Sequence, residues 1–173
     1  MTGFNQAIKP LRDSFDPLQL NGNIKQNPSD KCGIWSKNNL EWVLPCGAQA
    51  FTVFNDTFKF YSQNESIIYE LSYIPLITSE RTKFRLPKLS EGETLAQVYD
   101  RFSSPMSWSA NLSQLEPNRS EYNGVINPDF VNWMLGSPFN FFTKPYREIS
   151  GPKFLYAGNY SLVVNYSILA RAH

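Results

Sequence analysis

The carboxyl-terminal residues constrain the fold more than any other part of the chain. From Asn159 to His173, Tyr160, Leu162, Val164, Tyr166, Ile168 and Ala170 alternate with Ser161, Val163, Asn165, Ser167, Leu169 and Arg171. A period of two sends successive side chains to opposite faces, which predicts one long strand with a face on a core. A domain that ends on its longest strand uses that strand to close a sheet.

Other segments carry the same signal. Ile67, Tyr69, Leu71 and Tyr73 alternate with Ile68, Glu70 and Ser72. Thr82, Phe84 and Leu86 alternate with Lys83 and Arg85, and Pro87 ends that pattern. Ala48 to Tyr61 reads as a hairpin or a bulged strand. Gly33 to Pro45 contains Trp35 and Trp42 and reads as short strands around an Asn38-Asn39 turn. Two short helices interrupt these strands. Ser90 with Glu93 forms a capping box ahead of Leu95, Val98, Tyr99 and Phe102. Asn127, Pro128 and Gly136 bracket the second helix, over 128–135. The expected class is all-β: an antiparallel β-sandwich of about eight strands, with two short helices in its loops. Residues 1–31 lack a period and read as an extended arm, and 32–173 as the sandwich domain.

Charge narrows the function. The chain has 173 residues, 18% of them charged, and a formal net charge of +1. Lys9, Arg12, Lys25 and Lys31 face Asp13, Asp16 and Asp30 within the arm, so it is not basic and no nucleic-acid binding is expected. No secretory signal is visible in Met1–Leu20, and no stretch reaches the roughly 20 apolar residues of a membrane span. Cys32 and Cys46 either form a disulfide or stand as free thiols; their spacing matches no zinc signature.

The residues of common catalytic machinery are missing. His173 is the single histidine and the last residue. Neither a nucleophile elbow nor a phosphate loop occurs. Glu91, Glu93, Glu116, Glu121 and Asp129 could supply paired acids for glycoside hydrolysis. Helix-start charge explains Glu91, Glu93 and Asp129, and a solvated loop explains Glu116 and Glu121. The chain is therefore read as non-enzymatic, with no cofactor and no metal. Asn55, Asn64, Asn111, Asn118, Asn159 and Asn165 each begin an N-x-Ser/Thr triplet. Without an export signal, Asn- and Ser-rich composition is the reading taken for them. Trp35, Trp42, Trp108 and Trp133 could stack on sugars, and Trp108, in a long polar loop, is expected to be the exposed one.

The ending Phe154-Leu155-Tyr156-Ala157-Gly158-Asn159-Tyr160-Ser161-Leu162-Val163-Val164-Asn165-Tyr166 resembles the last strand of viral jelly-roll coat proteins. The resemblance implies two Greek keys, lateral self-assembly and a place in the virion. Its neutral arm departs from the basic arm common in small RNA-virus coats. On this reading the chain is a capsid, vertex, decoration or spike-base protein. It would bind itself and other virion proteins through Trp108, Tyr122, Phe139, Phe141, Phe142 and Tyr146. The alternative is a carbohydrate- or receptor-binding adhesin module, extracellular or at the cell surface.

Overall fold

The computed structural model describes residues 14–24, 27–53, 56–62, 67–76, 78–136, 142–151 and 154–165. The chain forms two compact units: Met1–Val53 with Leu76–Lys144, and Phe54–Pro75 with Pro145–His173.

The first unit is built from short helices and loops. Pro17–Leu20 (α1) starts where Asp16 accepts from the Leu18 N–H at 2.9 Å, with Pro17 in the first turn. The other Asp16 oxygen accepts from Ser29 N–H at 2.9 Å, which ties the helix start to the next loop. Asp16, Gln19 and Leu20 are buried, so the boundary expected at residue 31 falls within this unit. Lys37–Asn38 (β1) and Glu41–Trp42 (β2) pair antiparallel around an Asn39-Leu40 turn. Ala48–Phe51 is a helix (α2) where the sequence suggested a strand. Thr78–Arg81 (α3), Leu95–Tyr99 (α4) and Pro128–Met134 (α5) follow.

Two caps show how local chemistry sets these helices. The capping box of α4 is Thr94 with Gln97, one turn later than the Ser90–Glu93 pair expected. Ser90 N–H instead donates to Glu93 Oε2 at 3.1 Å, and Arg101 pairs with the same carboxylate. This backbone bond, helped by Arg101, holds Glu93 below the usual carboxylate range against the opposing effect of desolvation. In α5, Asn127 Oδ1 accepts from both Asp129 and Phe130 N–H at 3.0 Å.

The core of this unit gathers Leu20, Ala50, Phe84, Tyr99, Trp108, Leu112, Phe130 and Val131. Each large apolar side chain buried there stabilises by roughly 1.5–3 kcal/mol. Residues 82–86, expected as a strand, have no ladder partner: Phe84 turns inward, while Lys83, Arg85 and Leu86 are exposed. A turn bond from Phe84 N–H to Arg81 O at 3.3 Å and a long-range bond from Arg85 N–H to Leu20 O at 2.9 Å hold the segment.

The second unit is a sheet. Thr57–Ser62 (β3), Ile68–Tyr73 (β4), Arg147–Ser150 (β5) and Tyr160–Asn165 (β6) run antiparallel in the order β5-β4-β3-β6. The register pairs Phe60 with both Tyr69 and Leu162, and Phe58 with Val164. Alternation then puts Phe58, Phe60, Tyr69, Leu71, Tyr160 and Leu162 on one face. Phe60 stacks on Tyr160 with centroids 5.4 Å apart and planes 7° apart. Among the described residues β6 is an edge strand rather than the closing strand expected, and Leu162 on it is 57% exposed. The described residues contain six strands, against the eight or so expected, and five α-helices.

Candidate functional site

The 14-residue separation between Cys32 and Cys46 closes a loop that carries the β1–β2 hairpin. The two cysteines are disulfide-bonded with Cα atoms 5.7 Å apart, and both are buried. Cross-linking such a loop removes unfolded-state freedom and contributes about 3 kcal/mol.

The base of this loop is held on several sides. Gln19 is buried beneath it: its Oε1 accepts from Cys46 N–H at 2.8 Å and its Nε2 donates to Val43 O at 3.2 Å. Those bonds give both ends of one buried amide a partner. Val43 bridges Ser103 in parallel, with Leu44 N–H donating to Ser103 O and Ser103 N–H donating to Trp42 O, both at 2.9 Å. Trp35 packs on Phe51 with centroids 4.5 Å apart. Lys37 Nζ lies 4.1 Å from the centre of the Trp42 ring, a cation–π contact that clamps the hairpin flank.

The tip is different in kind. Asn39 takes the left-handed conformation, with φ 56°, that a tight two-residue turn requires. Leu40 beside it is 91% exposed, and Ile34 is 85% exposed. Leu40 at the turn and Ile34 in the 3₁₀ segment before β1 are two apolar side chains held in solvent by one disulfide-closed, hydrogen-bonded loop, which forms a preorganised knob. Little conformational freedom remains to be lost when a partner covers it. Sequence reasoning missed both residues. The available signal was a leucine at a hairpin turn, where Gly, Asn and Asp are the rule.

The residues picked from sequence lie elsewhere. Trp108 is buried at 9% exposure, a correction to its expected place on the surface. Its Nε1–H donates to Ala50 O at 2.9 Å, and its ring meets Phe130 edge-on at 5.8 Å. Tyr122 is half-buried under the Arg119 guanidinium at 5.5 Å. Phe142 is half-buried with Lys144 Nζ 5.5 Å from its ring. Tyr146 packs edge-on against Phe58 at 5.2 Å in the sheet unit. Phe139 and Phe141 lie outside the described residues. Trp108, Tyr122 and Phe142 thus belong to the helical unit and Tyr146 to the sheet unit. Trp133 points its Nε1–H at Gln49 O, 3.0 Å away.

Of the N-x-Ser/Thr asparagines, Asn111 caps a 3₁₀ turn and donates to Asp100 at 3.0 Å, while Asn118 and Asn159 are exposed. Asn165 donates to Thr57 Oγ1 at 3.3 Å, and Asn55 and Asn64 lie outside the described residues. Among the described residues no cluster of His, Cys, Asp and Glu could hold a metal ion. No helix among them is long and apolar enough to cross a membrane.

Comparison with known proteins gives a consistent result. The model of the LEM3 (ligand-effect modulator 3) family / CDC50 family matches residues 1–169. Cell cycle control protein 50A of Rattus norvegicus is 32% identical over 180 residues, covering 96% of this chain and 54% of the rat protein. Cell cycle control protein 50B of Homo sapiens is 29% identical, covering 99% of this chain and 52% of the human protein. Cell cycle control protein 50C of Mus musculus is 33% identical over 134 residues, covering 72% of this chain and 38% of the mouse protein. The chain spans about half the length of the curated relatives it matches.

These matches overturn the resemblance to viral coat proteins. Alternation in a terminal strand reports only a sheet with one apolar face, which many unrelated proteins share. The virion structural role, the adhesin alternative, the virion location and the expected partnership with itself and virion proteins are corrected with it.

Proposed function

The chain belongs to the LEM3/CDC50 family, and from that premise we propose that it acts at a cellular membrane as the accessory subunit of a P4-ATPase lipid flippase. It is not itself an enzyme: proteins of this family are non-catalytic accessory subunits.

The observation that carries this reading is the family match over residues 1–169. The knob at Ile34 and Leu40 supports it from the physical side. An accessory subunit acts by holding a partner, and a disulfide-stapled loop with two exposed apolar side chains supplies a preorganised contact. The disulfide also suits a side of the membrane where thiols are oxidised.

Affinity capture tests the proposal. The tagged chain is isolated from mild-detergent extracts of its own membranes, and co-isolated proteins are identified by mass spectrometry. A P4-ATPase catalytic subunit is expected in stoichiometric amount. Its consistent absence, with the disulfide-bonded chain recovered intact, would overturn the proposal.

A further inference from the structure

We infer that the helical unit holds a binding site for a single-chain anionic amphiphile, in a pocket between α1, α5 and the segment around Phe84. The pocket measures about 400 Å3, within the roughly 300–1,000 Å3 range of small-ligand sites. Phe15, Pro17, Leu20, Phe84, Met134 and Leu135 form most of its wall.

Two observations set the chemistry of the occupant. The first is how little polarity the wall offers. Its polar lining besides Lys83 is Asn21 and Gln49; the Gln49 amide nitrogen is committed to the carbonyls of Trp133 at 3.3 Å and Met134 at 3.1 Å, which leaves its buried Oε1 as the one buried acceptor there without a partner among the described residues. Water in such a space finds few partners, so an aliphatic chain gains by replacing it. A sugar or a nucleotide carries more polar groups than Asn21 and the Gln49 oxygen could satisfy there.

The second is Lys83 at the pocket wall. Its side chain is exposed and has no acidic partner among the described residues. An ammonium beside an apolar recess matches a ligand with a hydrocarbon tail and an anionic head. Fatty carboxylates and monoalkyl phosphates share that plan. The site goes beyond the accessory-subunit reading: it is formed by residues outside the hairpin knob and requires no partner chain.

Calorimetric titration of the full chain with dodecanoate and, separately, dodecyl phosphate tests this, each kept below its micelle-forming concentration. One equivalent of at least one probe is expected to bind. K83E, an exposed position, is expected to weaken that binding about tenfold, the size of one charge-assisted contact, and to leave the unliganded melting curve unchanged. M134W fills the pocket and is expected to abolish binding. Failure of both probes to bind overturns the inference, and so does binding that K83E leaves unchanged. If only one probe responds to K83E, the head group is assigned as carboxylate or phosphate accordingly. Because the readout needs no ATPase, failure here is separable from failure of the affinity capture.

Discussion

Gln49 and Trp133 bond to each other twice. The Trp133 indole N–H donates to the Gln49 carbonyl at 3.0 Å, and the Gln49 side-chain amide donates to the Trp133 carbonyl at 3.3 Å. The same amide also reaches Met134 O at 3.1 Å, so one buried side chain closes the C-terminal end of α5 onto α2. Carbonyls at a helix end have no partner within the helix, and a buried end needs an outside donor.

Gln49→Ala removes that donor and its bonds to the Trp133 and Met134 carbonyls. At about 1–3 kcal/mol for each carbonyl that loses its donor, a loss of roughly 2–6 kcal/mol in unfolding free energy is expected from urea denaturation. Gln49→Glu is expected to be worse, since a carboxylate brings charge into a buried site and cannot donate. An effect below about 0.5 kcal/mol for the alanine variant would show that the pair carries little stability.

Trp108 supports the same helical unit from its other side. Trp108→Ala should cost about 3–5 kcal/mol, because it empties a large buried volume and removes the indole bond to the Ala50 carbonyl, which keeps its backbone donor Val53. Trp108→Phe keeps most of the contact with Phe130 and loses the hydrogen bond, so a smaller loss of about 1–2 kcal/mol is expected. Equal destabilisation by both variants would assign the whole effect to the indole N–H.

The misplacement of Trp108 shows where sequence reading stops. It lies in a polar stretch, and its burial depends on Ala50 and Phe130, which are distant in the chain. Signals that act within a few residues were legible. The Asn127 cap, Pro128 and the Gly136 stop marked α5 to within a residue of its end, and alternation marked β4 and β6. Ala48–Phe51 was misread because four residues are too few for a helical period, and the neighbouring Phe51 and Val53 mimic alternation. The capping box of α4 was displaced by one turn because Ser90–Glu93 and Thr94–Gln97 carry the same signature in tandem, and both make hydrogen bonds. The knob escaped notice because exposure of Ile34 and Leu40 follows from how the disulfide and Gln19 orient the hairpin.

Alkaline stability reports on Tyr99. Burial pushes its phenol up to about 12, with the Val125 backbone opposing the shift. The folded state therefore keeps a proton that the unfolded chain releases near pH 10. The unfolded state binds fewer protons between these values, so stability falls as pH rises from about 10 to 12. The expected slope approaches 1.4 kcal/mol per pH unit. Below pH 10 the phenol is neutral in both states and adds no slope. Tyr99→Phe should remove this component, as measured by denaturation midpoints between pH 9 and 11. A slope unchanged in the variant would assign the alkaline loss to other groups.

Reduction of Cys32–Cys46 is expected to lower unfolding free energy by about 3 kcal/mol, the amount set by a loop of this size. The effect should also be local. Amide exchange should accelerate across residues 32–46 more than in the β3–β6 sheet, whose ladder contains no part of that loop. A uniform acceleration through both units would contradict a staple that acts on one hairpin.

The knob makes the sharpest prediction for function. Leu40 and Ile34 are exposed, so Leu40→Asp and Ile34→Asp remove no packing from the core. Surface changes of this kind usually stay within about 0.5 kcal/mol, and the melting temperature of the double variant should match that of the unaltered protein. An anchor seated in a partner's apolar groove behaves otherwise: each aspartate must be desolvated on binding and finds no counter-charge there. Capture of the P4-ATPase from membranes should drop at least tenfold with the double variant. The control is Lys59→Asp on β3, an exposed charge change of similar size in the sheet unit, which should leave capture unaltered. If both variants capture the ATPase normally, the hairpin is not the docking surface, even though the chain remains an accessory subunit. If both fail, the loss follows added negative charge rather than the apolar tip.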